Sequence, residues 1–171
     1  MSRARASLAL CAVACCLAAG AARAEDEREA LRPCKAADLI GAWEVVRFGT
    51  APSFLVDRTD PNFYPFQRFV FASNATMRHL TSNTRIARAD HRALLAETAP
   101  VTWAVDGDGK LLLQKEGAVR LETIACAVLV KEVVDPKRRV PALAGDVLLT
   151  HYDAGTPVMR RQLRKLAGLG E

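Results

Sequence analysis

Side chains that commonly carry chemistry are scarce in this chain: 171 residues hold 3 histidines, 5 cysteines, 2 tryptophans and 2 tyrosines. His79, His91 and His151 stand at no metal-ligand spacing such as His-x-x-x-His, so no metal centre is expected. Ser53, Ser73 and Ser82 lack the flanking glycines of Gly-x-Ser-x-Gly, which excludes a nucleophile elbow. Asp106-Gly107-Asp108-Gly109 lacks the spaced acidic residues and terminal glutamate of a calcium loop. Carboxylates such as Glu97 with Asp106, or Asp146 with Asp153, have no sequence relation that brings them together, so they receive no acid/base role. The apolar run from Leu8 to Ala22 is shorter than the roughly 20 residues a bilayer span needs.

That run follows Arg3 and Arg5 and ends at Ala22-Arg23-Ala24, ahead of Glu25-Asp26-Glu27. The pattern predicts a cleavable secretory signal over 1–24 and a periplasmic or secreted mature chain of about 147 residues. Cys11, Cys15 and Cys16 lie in the run, but Ala12-Val13-Ala14-Cys15 lacks the leucine preferred in a lipoprotein signal. Cleavage removes 3 of the 24 basic residues and leaves 21 against 19 acidic ones, so the net charge falls from +5 to +2. A nucleic-acid partner has little support in so small a surplus. Cleavage also leaves only Cys34 and Cys126, and an even pair in an exported chain predicts a disulfide.

The remainder reads as short strands and turns. Gly41 precedes Trp43 by two residues at the start of an alternating stretch, Asp38 to Phe48, where a glycine permits a close backbone approach or a dihedral that a Cβ forbids. Unless a bulge intervenes, Glu44, Val46 and Phe48 face away from Val45 and Arg47. A proline-marked loop, Gly49 to Pro65, is followed by strands over Gln67 to Ser73 and Thr76 to Thr81, joined at Ser73-Asn74, where Asn tolerates positive φ. Thr84 to Thr98 is rich in helix formers and predicts the one short helical segment, mid-chain. Val101 to Val105 and Lys110 to Lys115 flank the Asp-Gly turn of a hairpin. Ala118 to Thr123 and Cys126 to Val133 are predicted as the next pair, and Val147 to Tyr152 with Pro157 to Leu166 as the last. The resulting fold class is all-β: a single small antiparallel up-and-down barrel of about eight strands over 38–166, after an arm at 25–37 and before a tail at 167–171.

Leu39-Ile40-Gly41-Ala42-Trp43-Glu44-Val45 resembles the Gly-x-Trp signature that opens lipocalins and other calycin-like barrels. Asp146 to Asp153 and Arg160 to Arg164 resemble the closing hairpin of lipocalin-like bacterial secreted proteins. The resemblance implies a last-strand arginine packed over Trp43. Arg160, Arg161 and Arg164 compete for that place, and Arg161 is preferred because it shares a face with Met159 and Leu163. The Thr-Asp-Tyr motif of typical lipocalins and their helix after the barrel are absent.

Six of the ten aromatic residues fall between positions 54 and 71: Phe54, Phe63, Tyr64, Phe66, Phe69 and Phe71. Most lie in or beside the loop where such a barrel has its mouth. They are expected either to cover a ligand cavity, with His79 or Arg161 as polar contact, or simply to close one end of the core. His79 or His151 as a lone haem ligand, and Lys137-Arg138-Arg139 as a patch for anionic surfaces, are weaker readings than a structural histidine and a solvated loop. No cofactor is expected, and the oligomeric state is left open. The expected function is binding of a small apolar or amphipathic ligand within the barrel. The alternative is a protein-interaction barrel with a filled core, such as an inhibitor of a secreted hydrolase.

Overall fold

The computed structural model describes residues 29–134 and 140–169. The expected signal segment and Lys137-Arg138-Arg139 lie outside the described residues. Nine strands are present: β1 (Leu31–Pro33), β2 (Gly41–Thr50), β3 (Phe66–Phe71), β4 (Thr76–Ser82), β5 (Val101–Val105), β6 (Lys110–Gln114), β7 (Glu122–Leu129), β8 (Val147–Asp153) and β9 (Thr156–Lys165). Each of β2 to β9 pairs antiparallel with its neighbours in sequence, and β9 returns to β2. This is a closed eight-stranded up-and-down barrel, with β1 as an extra strand outside the ring. Closure leaves no long unpaired edge in the ring. β1 continues the sheet where β6 ends: β6 reaches Ala125 of β7, and β1 takes up the pairing at Ala127.

Two turns follow from specific residues. At the β5–β6 turn the Asp106 carboxylate accepts the backbone N–H groups of Asp108 and Lys110, at 3.0 and 2.8 Å. Gly109 there has φ +79°, and a Cβ would lie 2.5 Å from the Pro33 Cβ, so the turn and β1 fit together only because the side chain is missing. At the β3–β4 turn, Asn74 works through its side chain, accepting from the Thr76 N–H and hydroxyl, while the positive φ falls on Ala75.

One predicted hairpin is corrected. Ala118 to Thr123 and Cys126 to Val133 are not two strands: a single strand runs from Glu122 to Leu129, and 115–121 is a loop. The inward alternation of Ile124, Cys126 and Val128 passes unbroken across the supposed turn. The predicted helix is shorter than its composition suggested. It is α2 (His91–Glu97), with no element over Thr84 to Ala87.

The arm closes one end of the barrel. After β1, α1 (Ala36–Leu39) is held by Asp38, whose carboxylate takes two hydrogen bonds from Arg32, at 2.6 and 2.8 Å, and one from the Lys35 N–H. The Arg32 contact holds the Asp38 carboxyl down at about 2. Leu39 is fully buried, and its carbonyl accepts the Trp43 indole N–H at 2.6 Å. Cys34 is disulfide-bonded to Cys126. With Trp43, Phe71, Trp103, Leu111, Val147 and Leu163 these residues fill the closed end. Gly41 has φ +118°, which L side chains rarely adopt, and the nearest atom to a Cβ there would be Lys165 Cε at 3.1 Å, the end of a flexible side chain, so the dihedral is what requires the glycine.

Outside the ring, α2 covers β3 and β4. Leu94 and Leu95 pack with Val70, Leu80, Ile86 and Phe66, which is why β3 is buried on both faces. No helix among the described residues is long and apolar enough to cross a membrane.

Candidate functional site

A β-bulge decides what points into the open end. Between β2 and β9 the register shifts at Val45 to Arg47, which inserts Val46 as an extra residue. Trp43 is buried at the closed end, and after the bulge Phe48 pairs with Arg161 and turns inward. Without the bulge, Arg47 would occupy that place and Phe48 would face solvent.

Above the filled end lies a cavity of about 580 Å³, opening beneath the loops at 51–65, 98–100 and 115–121. Its wall is apolar low down, from Phe69, Met77, Val101, Leu113, Ile124 and Leu149. Higher up it carries His79, His151, Arg161, Lys115, Arg120 and Glu122, and the short 3-10 turn Pro61–Phe63 lies across the rim.

Gln67, His79, Arg161 and His151 form one connected network. The Gln67 amide gives its N–H groups to the carbonyls of Tyr64 and Asn62, at 2.8 and 3.2 Å. Its oxygen accepts from Arg161 Nε at 2.9 Å and lies 3.1 Å from His79 Nε2, so that nitrogen carries the proton. Arg161 also donates to the Asn62 carbonyl at 2.9 Å and to His151 Nε2 at 3.1 Å. His151 must therefore accept at Nε2 and carry its proton at Nδ1, 3.5 Å from Glu122 Oε1. The guanidinium lies over the Phe48 and Phe69 rings, at 5.3 and 6.0 Å from their centroids.

Burial and mutual repulsion set the charges. Burial, with Arg161 close by, pushes His79 down to about 3 and His151 down to about 4. Burial also lowers Arg161 to about 10, opposed by Glu122, so it stays cationic at neutral pH. In the unfolded chain both histidines take protons near 6.5. The unfolded state therefore binds more protons below that pH. The stabilisation from keeping them neutral is fully present above about 6.5 and is lost as the pH falls towards 4. Each histidine contributes a slope of up to about 1.4 kcal/mol per pH unit in that window. A thermal scan at successive pH values is expected to show Tm falling from pH 6.5 to 4.5, with a shallower fall in His79→Gln. A flat profile contradicts the assignment.

Of the aromatic residues proposed for the mouth, Phe63 and Phe69 line the cavity, and so do His79 and Arg161. Phe54 stands behind Phe63, with ring centroids 5.9 Å apart. Tyr64 contributes its carbonyl to Gln67, Phe66 packs outward beneath α2, and Phe71 sits deep in the closed end against Trp103. Alternation along β3 separates them: 67, 69 and 71 face in, while 66, 68 and 70 face out. The same alternation puts Gln67, only 2% exposed, in line with two core phenylalanines, and that was the sequence signal for the network's central residue.

The expected cover of Trp43 by Arg161 is corrected. The cation over the indole is Lys165, with Nζ 5.5 Å from the ring centroid, because Lys165 is the residue paired with Trp43 across β2 and β9. Arg161 lies four residues earlier on β9, at the level of Phe48. Of the other two candidates, Arg160 bonds the Thr150 hydroxyl and Arg164 grips the buried Asp146 carboxylate. No group of three or more side chains suited to a metal occurs among the described residues.

The antiparallel eight-stranded ring is compatible with a calycin-like fold. No protein-family model, no curated protein and no solved structure matches the chain.

Proposed function

We propose that the protein is an exported, lipocalin-like binding protein that holds a small apolar or amphipathic molecule in its barrel, beneath the 51–65 loop. The observation that carries this reading is the cavity of about 580 Å³, apolar in its depth and polar towards its rim. That size and that division of chemistry are typical of small-molecule pockets. The Gly41-x-Trp43 strand opening and the sequential closed barrel support the lipocalin-like assignment. The Met1 to Ala24 pattern and the Cys34–Cys126 bridge support a periplasmic or secreted location.

The protein-interaction alternative draws on one observation: Leu55 and Val119, in loops at the open end, are 92% and 99% exposed. A filling substitution separates the two readings. Leu113 is 8% exposed and lines the cavity, so Leu113→Trp puts an indole into the space. A neutral, environment-sensitive apolar dye is expected to bind the wild-type chain saturably, with affinity reduced about tenfold or more in Leu113→Trp, a difference of about 1.4 kcal/mol or more. Unsaturable dye binding, or equal affinity in a Leu113→Trp variant that retains its Tm, overturns the ligand reading.

A further inference from the structure

The charge of Arg161 narrows the chemistry of the occupant. Its side chain is 4% exposed and borders the cavity, and each of its three hydrogen bonds goes to an uncharged acceptor: an amide oxygen, a carbonyl oxygen and an imidazole nitrogen. A guanidinium carries five N–H groups, so one on each terminal nitrogen is left unused by these bonds. Neither of the carboxylates that line the same space contacts Arg161, although the charge of Glu122 reaches it. Asp60 accepts the Asn62 backbone N–H at 2.8 Å, and Glu122, whose side chain is half exposed, meets the far side of His151. Lys115 and Arg120 add two further cations to the lining. A buried cation without a contacting anion is costly, and a bound carboxylate offsets that cost through charge-assisted bonds that a guanidinium can make in pairs.

Resting on the reading above, we infer that the ligand is an anionic amphiphile whose carboxylate head is held by Arg161, with its apolar tail against Phe69, Leu113, Ile124 and Leu149. Lysine would not replace this arginine, because its three donors are not set in the planar fork that serves Gln67, Asn62 and a ligand together. The two histidines beside Arg161 are neutral, so the cations that face a ligand head are the buried Arg161 guanidinium and, further out in the lining, Lys115 and Arg120.

The test keeps the tail constant and changes the head. Dodecanoate, dodecanol, dodecylammonium and dodecyl phosphate are each titrated against the neutral dye bound to the full-length processed protein at pH 7.5. Dodecanoate is expected to displace the dye at about tenfold lower concentration than dodecanol, and dodecylammonium to be the weakest competitor. Arg161→Gln is expected to shrink the preference for dodecanoate over dodecanol, read as the ratio of the two competing concentrations within the same variant. Because the wild-type ranking needs no variant, the result stands even if Arg161→Gln folds poorly. Equal competition by dodecanoate and dodecanol, or preference for dodecylammonium, overturns the carboxylate assignment and leaves the cavity reading standing. Tighter binding of dodecyl phosphate than of dodecanoate also overturns it. Dye binding that none of the four compounds displaces removes both readings.

Discussion

Trp43→Ala is expected to cost the barrel about 3 to 5 kcal/mol, the range for removing a large aromatic side chain from a packed core. Trp43 is buried at the closed end, packed among core residues and flanked by the Lys165 stem. Truncation removes that packing and leaves the Leu39 carbonyl, which takes the indole N–H at 2.6 Å, without its donor. Because α1 is attached through that contact, the N-terminal plug is weakened together with the core. Urea unfolding measures the loss as a lower midpoint at similar slope. Trp43 does not line the cavity, so ligand affinity per folded molecule is expected to persist in conditions where the variant folds. A loss below about 1 kcal/mol would mean that the indole is peripheral to the core.

Replacing both Cys34 and Cys126 by serine is expected to cost about as much, by a different route. The bridge spans 92 residues and ties the arm to β7 across most of the barrel. In the chain-entropy account a loop of that length contributes about 4 to 5 kcal/mol by restricting the unfolded chain. The two serines add a further cost, since the positions they occupy are core positions, 3% and 7% exposed. Denaturant curves with and without reductant give the difference directly, and thiol titration of the unfolded, unreduced chain is expected to find no free thiol. Two titratable thiols, or a midpoint insensitive to reductant, contradict the bridge.

Both features were legible in advance. The pair Cys34 and Cys126, the only cysteines beyond the expected signal segment, and a Gly-x-Trp at a strand entrance are local signals with few alternative explanations, and both lead to the closed end. The Asp106-Gly107 turn is legible for the same reason, since its geometry is made by residues within the turn. The sequential barrel followed from turn spacing, because antiparallel neighbours need only short connections.

The site was harder to read because it depends on register. One inserted residue, Val46, turns Phe48 inward, and nothing local to Val45-Val46-Arg47 marks it as a bulge. The same pairing puts Lys165 opposite Trp43 and leaves Arg161 in the cavity, so the face of Arg161 could be read from alternation but its height along the barrel could not. Phe66 and Phe71 drop out of the site by alternation and depth, whereas Gln67 was present in the pattern as a polar residue on a core face. β1 carries only three residues and pairs with β7, far away in sequence, so no local periodicity announces it. The loop at 115–121 looked like a strand because Ala118, Val119 and Leu121 are apolar, yet Val119 and Leu121 are exposed at the open end.

On the proposed function, the space between the closed end and the 51–65 loop is occupied in use. Native mass spectrometry of the protein purified from its own host, without detergent, reads that occupancy. A mass above that of the processed polypeptide by one small-molecule ligand is expected, lost on denaturation and absent from Leu113→Trp. A mass equal to the bare processed chain, unchanged after incubation with a lipid extract from the same host, would contradict it.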